Sequence, residues 1–213
     1  MLSCEKKPKK IDFGKQDGKG ISWTVIYEDK KSMILFADEI LDARAYDSRL
    51  GLNVSFEESE LYDYLNTDFI NTYFSADERA KLFFINSYDD TLVTLISLSN
   101  FKDMNIGDVT AIKDDYYNNE DYFAANKNII TKATATALYN DIEVFDNETY
   151  VEIMREPKVD TRYDFANGYS PYWILDKDDN TGMVWTVTPT GYIEEREKDI
   201  LYVGVRPVIR IKK

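Results

Sequence analysis

The 213-residue sequence contains no histidine, and its single cysteine is Cys4. Without histidine, the chain cannot use the imidazole acid–base pairs of serine or cysteine hydrolases, or imidazole metal sites. A single cysteine forms neither a disulfide bond nor a thiolate metal cage within the chain. No apolar run approaches the roughly 20 residues that a membrane-spanning helix needs. These absences exclude histidine-dependent catalysis, histidine metal sites and cysteine frameworks within the chain.

Positive charge is also scarce, because 26 Lys and Arg stand against 39 Asp and Glu, for a net charge of −13. Such an acidic body repels phosphate backbones, so we expect no nucleic-acid partner. The first 20 residues differ, since they carry six Lys against Glu5, Asp12 and Asp17. This basic segment predicts either attraction to anionic lipid or a solvated tail.

The chain begins Met1-Leu2-Ser3-Cys4, which resembles the end of a bacterial lipoprotein signal. In such signals a small residue precedes the cysteine that becomes lipidated. The pattern predicts lipidation at Cys4, a disordered tether over residues 1–20 and a single domain over residues 21–213. It also predicts an extracytoplasmic, membrane-anchored location. The alternative is a cytoplasmic protein in which this cysteine occurs by chance.

Apolar and polar residues alternate early in the domain and predict a hairpin with strands at 21–27 and 32–40. The stretch 41–54 is predicted to be a loop. It is kept polar by Asp42, Arg44, Asp47 and Arg49.

A stripe of apolar residues at helical spacing follows Ser55 and predicts one helix as far as Tyr73. Ser75 and Glu78 form a capping-box pattern that predicts a second, short helix.

Short aromatic and β-branched runs after Ser170 predict several paired strands. Arg206 lies in the last run, where we expect it to form a structural ion pair.

An ordered set of segments resembles a bacterial family of unknown function, domain-of-unknown-function family 6273. The matching segments are residues 21–25 (Ile-Ser-Trp-Thr-Val), 41–42, 59–66 (Ser-Glu-Leu-Tyr-Asp-Tyr-Leu-Asn), Phe69, 74–75, 95–99 (Leu-Ile-Ser-Leu-Ser), 172–173, Gly191 and 204–208 (Gly-Val-Arg-Pro-Val). The ending also resembles C-type-lectin-like domains, among them formylglycine-generating enzymes. This resemblance implies an α+β fold with mostly antiparallel strands and a few short helices. It further implies that the N- and C-terminal strands pair and that long irregular loops form a ligand face.

The chain departs from the family where binding residues would be expected. Tyr62 and Tyr64 occupy positions where the family usually has Arg. After the paired aromatic residues, Ile174, Leu175 and Asp176 replace the usual Leu-Arg-Ser. No family binding site is therefore carried over to this chain.

Six residues are candidates for ligand contact: Tyr116, Tyr117, Tyr122, Trp173, Asp176 and Trp185. The three tyrosines lie in the acidic segment 114–123, which is either a recognition loop or a solvated one. The two tryptophans could stack on sugar rings, although large aromatic side chains more often pack in cores.

Asp176, Asp178 and Asn180 alternate like the first ligands of a calcium loop. However, Thr181 and Val187 stand where an EF-hand has its Gly and its closing Glu, which favours a polar hairpin turn. We therefore expect no metal or other cofactor.

The sequence predicts a non-enzymatic, extracytoplasmic ligand-binding or adhesion module whose ligand is a glycan or a protein. One alternative is a carboxylate-based glycan-processing enzyme, because two suitably spaced acids suffice for that chemistry. The other is a catalytically inactive relative of formylglycine-generating enzymes. The resemblance implies active-site cysteines for that activity, and Cys4 alone cannot supply them.

Overall fold

The computed structural model describes residues 8–51, 53–85, 90–103, 129–146, 166–177 and 181–213. The strands are β1 (Lys10–Gln16), β2 (Lys19–Glu28), β3 (Ser32–Ala37), β4 (Asp42–Ala43), β5 (Leu82–Phe83), β6 (Val93–Leu95), β7 (Tyr172–Lys177), β8 (Val184–Val187), β9 (Ile193–Arg196), β10 (Gly204–Val205) and β11 (Pro207–Lys212). The helices are a 3₁₀ turn (Phe56–Glu58), α1 (Glu60–Tyr64), a π-helical segment (Leu65–Phe69), α2 (Ile70–Tyr73), α3 (Ala76–Arg79), α4 (Leu98–Asp103) and α5 (Ala135–Tyr139).

The described strands form two sheets. The first has the order β1-β2-β3-β11-β5, and β6 also pairs with β11; all its pairings are antiparallel. The second has the order β4-β10-β7-β8-β9, in which only β10 and β7 run parallel. The expected α+β class, with mostly antiparallel strands and a few short helices, is confirmed.

Both faces of the central strands are buried, in two apolar clusters. In β3, Leu35 belongs to one cluster and Phe36 to the other; in β7, Trp173 and Tyr172 divide in the same way. Successive residues of a strand point to opposite faces, so each of these strands needs apolar residues throughout. This requirement accounts for the continuous apolar runs in the sequence.

The expected pairing of the N- and C-terminal strands is wrong. The last strand, β11, pairs with β3 through registers such as Val208 opposite Phe36. It does not reach β2, because β2 already has β1 on one side and β3 on the other. The first hairpin and the last strand therefore share a sheet without being direct partners.

The structure also differs from the predicted tether over residues 10–20, which form β1 and its turn into β2. Phe13 is buried, and its ring centroid lies 5.1 Å from that of Phe74. The Nε1 of Trp23 donates a hydrogen bond of 2.7 Å to the carbonyl oxygen of Phe13. The lysines of this segment lie on its solvated side. Their number made the segment look like a tether in the sequence, although its other face is buried.

Gly14 lies in β1 at a backbone φ of 77°, and an added Cβ would lie 2.6 Å from the Phe74 ring and 2.9 Å from the Tyr73 carbonyl oxygen. Gly18 has the same φ of 77° but has open space around it. A Gly18→Ala variant should therefore be destabilised only by the strain of the left-handed backbone, about 1 kcal/mol. We expect Gly14→Ala to destabilise the fold by about 3 kcal/mol, since overpacking adds to that strain. Urea unfolding of both variants tests this, and equal losses would contradict the close approach.

The helix predicted after Ser55 is present but divided. Ser55 caps only the 3₁₀ turn, and α1 begins at a separate cap, where Ser59 Oγ accepts a hydrogen bond from the backbone N–H of Tyr62. The predicted short helix after Ser75 is confirmed as α3. Its capping box is complete, with reciprocal hydrogen bonds between Ser75 and Glu78.

Arg206, between β10 and β11, is buried, and the expected ion pair is wrong for the described part of the chain. Its Nε donates to the Ala37 carbonyl oxygen at 2.8 Å, and its Nη1 donates to the Ile129 carbonyl oxygen at 2.7 Å and to the Tyr172 hydroxyl at 3.2 Å. The guanidinium carbon also lies 3.9 Å from the Phe36 ring centroid. Burial lowers the pKa of Arg206. The side chain thus joins the two sheets through the Ala37 carbonyl oxygen on β3 and the Tyr172 hydroxyl on β7, rather than through a carboxylate.

Candidate functional site

An open cleft of about 410 Å³ lies between three loop segments. These are the described residues of the loop after β4, residues 181–183 before β8, and the turn after β9. The lining residues are Arg49, Leu50, Gly51, Asn53, Thr181, Gly182, Met183, Glu197, Lys198 and Asp199. Its volume is in the range typical of small-ligand sites.

Asp47 is fully buried beneath this cleft and holds two of its walls together. Its carboxylate accepts hydrogen bonds from Arg49 Nε at 3.0 Å, from the Arg49 backbone N–H at 3.0 Å and from Lys198 Nζ at 3.2 Å. The backbone N–H of Glu60 donates a further bond of 3.3 Å. Burial alone would raise the pKa of Asp47, but the hydrogen bonds from Arg49 and Lys198 outweigh it and hold the pKa well below its ordinary value.

Both cations at the cleft are bonded to Asp47, and of the two only Arg49 keeps substantial exposure, at 44% of its side chain. Lys198 is directed inward, and its Nζ also donates to the carbonyl oxygens of Asp47 and Arg49. The Lys198 side chain is only 12% exposed, which leaves little of it for a ligand. A buried carboxylate that is paired in this way fixes the positions of both partners.

The acidic side chains of the cleft, in contrast, are accessible to a ligand. Glu197 is exposed and Asp199 is partly exposed, and neither carboxylate has a side-chain partner in the described ranges. Asp47 balances one of the two positive charges of Arg49 and Lys198, and with Glu197 and Asp199 the group carries one net negative charge. The cleft therefore offers hydrogen-bond acceptors and negative charge to a ligand.

A second contact links the loop after β4 to the turn between β7 and β8. Lys177 Nζ donates to Asn53 Oδ1 at 2.9 Å and to the Val54 carbonyl oxygen at 3.3 Å. Gly182 lies against Asn53, at an ordinary van der Waals distance for an added Cβ. The Lys177 bonds thus hold Asn53 and Val54 against the end of β7, and a fixed wall of this kind favours binding without rearrangement.

Most residues predicted from the sequence lie elsewhere. Tyr116, Tyr117, Tyr122 and Cys4 fall outside the described residues. Trp173 is fully buried, and its Nε1 donates to the Arg44 carbonyl oxygen at 2.8 Å. The core interpretation is confirmed for Trp173, which is inaccessible, and the third tryptophan, Trp23, is equally buried.

Trp185 and Asp176 lie on β8 and β7, and neither lines the cleft. Trp185 is partly buried, opposite Glu195 in the strand register. Asp176 Oδ2 accepts a hydrogen bond of 2.8 Å from the backbone N–H of Leu98, at the start of α4. Asp178 and Asn180, the other members of the calcium-like pattern, fall outside the described residues. Within the described ranges, no three potential ligands are grouped to hold a metal ion.

The sequence contains a local pattern that indicates the Asp47 network. Asp47 and Arg49 repeat the spacing of Asp42 and Arg44, and in both pairs the Arg Nε donates to the Asp two residues earlier. Both aspartates are buried. The repeated Asp-x-Arg spacing is thus a pattern by which such a network could have been found.

The described carboxyl groups also bear on glycan hydrolysis. Seven of them have a pKa that is lowered from its ordinary value: Glu28, Asp29, Asp38, Asp47, Glu58, Glu60 and Glu78. A glycosidase acid needs a raised pKa, so that it holds its proton at neutral pH. None of these seven downward shifts marks its carboxyl group as such an acid.

Comparison with protein-family models, curated proteins and solved structures finds no match for this chain. Among the described helices, none is long and apolar enough to cross a membrane.

Proposed function

We propose that this chain is a non-enzymatic ligand-binding or adhesion module with a C-type-lectin-like architecture. The observation that carries the proposal is the cleft, in which the buried Asp47 fixes the walls and leaves Glu197 and Asp199 free to contact a ligand. The architecture is supported by an antiparallel sheet that contains both the first hairpin and the last strand. The absence of histidine and the lowered carboxyl pKa values support binding rather than catalysis.

The ligand proposed for this cleft donates hydrogen bonds. Glu197 and Asp199 accept such bonds, while Leu50 and Met183 provide apolar contact area beside them. Glycan hydroxyls have this chemistry, and so do the basic side chains of a protein. Carboxylates that bind charged or polar donors in a cleft typically contribute about 1.5–3 kcal/mol for each hydrogen bond.

The binding test uses the full chain and a double variant, Glu197→Gln with Asp199→Asn. A ligand at a hundred times its dissociation constant should raise the unfolding midpoint of the unaltered chain by roughly 5–11 °C. The double variant should bind at least about tenfold more weakly, because it keeps the side-chain shapes but removes the charges. Thermal unfolding against separate panels of glycans and basic peptides distinguishes the two ligand classes.

Two exposed acids away from the cleft provide the matched control, Asp68→Asn with Asp77→Asn. This control should bind like the unaltered chain. Equal binding by the control and by the cleft variant would sink the assignment of the cleft as the site.

The proposed location is extracytoplasmic, with the chain anchored to the membrane through a lipid on Cys4. The support is the Leu-Ser-Cys segment followed by lysines. In bacterial cells that express the full-length gene, globomycin should block processing at Cys4 and so change the electrophoretic mobility of the protein. The Cys4→Ser variant should show the same change in mobility. Identical mobility with and without globomycin would rule out this anchor.

A further inference from the structure

A second cavity, of about 260 Å³, lies on the first sheet between the β1–β2 turn and the segment before α5. It shares no lining residue with the cleft described above. The lining residues that bear on its chemistry are Gln16, Asp17, Lys19, Ile21, Glu39 and Leu41.

The inner wall of this cavity contains a buried amide with an unused acceptor. Gln16 is only 8% exposed, and its Nε2 donates a hydrogen bond of 2.7 Å to the Leu41 carbonyl oxygen. Because that carbonyl accepts, the amide nitrogen must face it, so the Gln16 Oε1 faces away. No donor from the described residues reaches this Oε1. The protein leaves this amide oxygen free to accept, so it can take a hydrogen bond from a ligand that enters the cavity.

The rim of the cavity is charged, with acids in excess. Asp17 Oδ2 accepts from Thr136 Oγ1 at 2.8 Å, which leaves its Oδ1 available. The carboxylate of Glu39 is exposed and has no side-chain partner in the part of the chain that the structure describes. Lys19 contributes one positive charge against these two carboxylates. The rim therefore favours a cation.

The cavity is held in place by backbone contacts on its far side. The N–H of Ile40 donates to the Lys132 carbonyl oxygen at 3.0 Å, and the N–H of Thr134 donates to the Ile40 carbonyl oxygen at 2.9 Å. This short parallel bridge fixes Ala133 and Leu41 as apolar walls. The site is pre-formed, which reduces the entropy that a ligand loses on binding.

We propose that this cavity binds a small organic amine that also carries hydroxyl groups, such as an amino sugar or an amino alcohol. The ammonium group lies between the Asp17 and Glu39 carboxylates at the rim. A hydroxyl group donates to Gln16 Oε1, and the carbon skeleton packs against Ile21 and Leu41. A neutral sugar of the same shape lacks the charge that the rim selects.

The test is an NMR titration of the ¹⁵N-labelled full chain with glucosamine, with glucose as the neutral analogue. The titration is run at about pH 6, where an amine of this type is protonated. Glucosamine at millimolar concentration should shift the side-chain amide resonance of Gln16 and the backbone amides around Asp17, and glucose should not. A titration in which glucosamine leaves these resonances unmoved, or in which glucose moves them equally, overturns the proposal.

The matched variant is Asp17→Asn combined with Glu39→Gln. Asparagine tolerates the positive φ of 51° at position 17 and still accepts from Thr136, so the fold is retained. This variant should bind glucosamine at least about tenfold more weakly, whereas Asp68→Asn, an exposed acid elsewhere, should bind it normally. Undiminished binding by the double variant would also overturn the proposal. Because the two sites share no residue, neither outcome depends on the cleft.

Discussion

Replacing Asp47 with Asn is expected to destabilise the folded chain by about 3 kcal/mol and to lower its unfolding midpoint by about 6–12 °C. The carboxylate is fully buried and is bonded to Arg49 and Lys198. Its amide replacement keeps the shape but removes the charge. The Arg49 guanidinium can turn to solvent, whereas Lys198 is left as a nearly buried cation without its partner.

The Asp47 effect should also depend on pH. The pKa of Asp47 is lowered in the folded state, so its contribution is fully present above the unfolded pKa of about 4 and is lost as the pH falls below that value. The difference in unfolding free energy between the unaltered chain and Asp47→Asn should therefore be smaller at about pH 3 than at about pH 6. Urea unfolding at both pH values measures it.

Asp77→Asn is the matched control, because this acid is exposed and should change stability by no more than about 0.5 kcal/mol. If Asp47→Asn proved as stable as this control at about pH 6, the carboxylate would not be what holds the cleft together. A difference that stayed constant with pH would contradict the lowered pKa.

Replacing Trp173 with Ala is expected to destabilise the fold by about 4 kcal/mol. The indole is fully buried, stands edge-on to Tyr46 at a ring-centroid distance of 5.9 Å and donates to the Arg44 carbonyl oxygen. Its removal leaves a large cavity and an unpaired carbonyl oxygen in the core that supports the cleft. Thermal unfolding followed by near-ultraviolet circular dichroism reports both the stability and the packing of the aromatic side chains.

Trp185→Ala is the control for size, since this tryptophan is only partly buried and its Nε1 makes no hydrogen bond. We expect it to cost about half as much, roughly 2 kcal/mol. A Trp173→Ala variant no less stable than Trp185→Ala would contradict the core position of Trp173.

Local patterns predicted the elements whose determinants lie close together in sequence. The β2–β3 hairpin follows from alternation, and α3 follows from the Ser75–Glu78 capping box. The long helix was predicted as one element, but its centre is π-helical. There, Asn66 accepts hydrogen bonds from the backbone N–H groups of Leu92 and Val93, which are distant in sequence. No local pattern contains that contact.

Two errors in the fold have a common physical origin. The strand β1 was hidden by its lysines, because burial of Phe13 depends on Phe74 arriving from a distant helix. The pairing of the N- and C-terminal strands was implied by the resemblance to C-type-lectin-like domains, and that expectation made no allowance for β1 beside β2. Once β1 occupies that edge of β2, β11 pairs with β3 instead.

The candidate site was only partly accessible from sequence. The aromatic residues that suggested ligand stacking include Trp173, whose burial follows from the packing of two sheets. Asp47 was assigned to a polar loop, because its burial depends on Lys198, which lies 151 residues later. The walls of the cleft are also far apart in sequence. That Glu197 and Asp199 line a cleft without a side-chain partner in the described ranges is therefore visible only in the fold.

The most direct test of the proposed binding site is a ¹⁵N NMR titration of the full chain with glycans and with lysine-rich peptides. If the cleft is the ligand site, one ligand class should shift the backbone amides of Leu50, Thr181 and Asp199 together. Those shifts should be lost in the Glu197→Gln, Asp199→Asn variant. Shifts confined to other surfaces, or shifts that persist unchanged in that variant, would contradict the central claim.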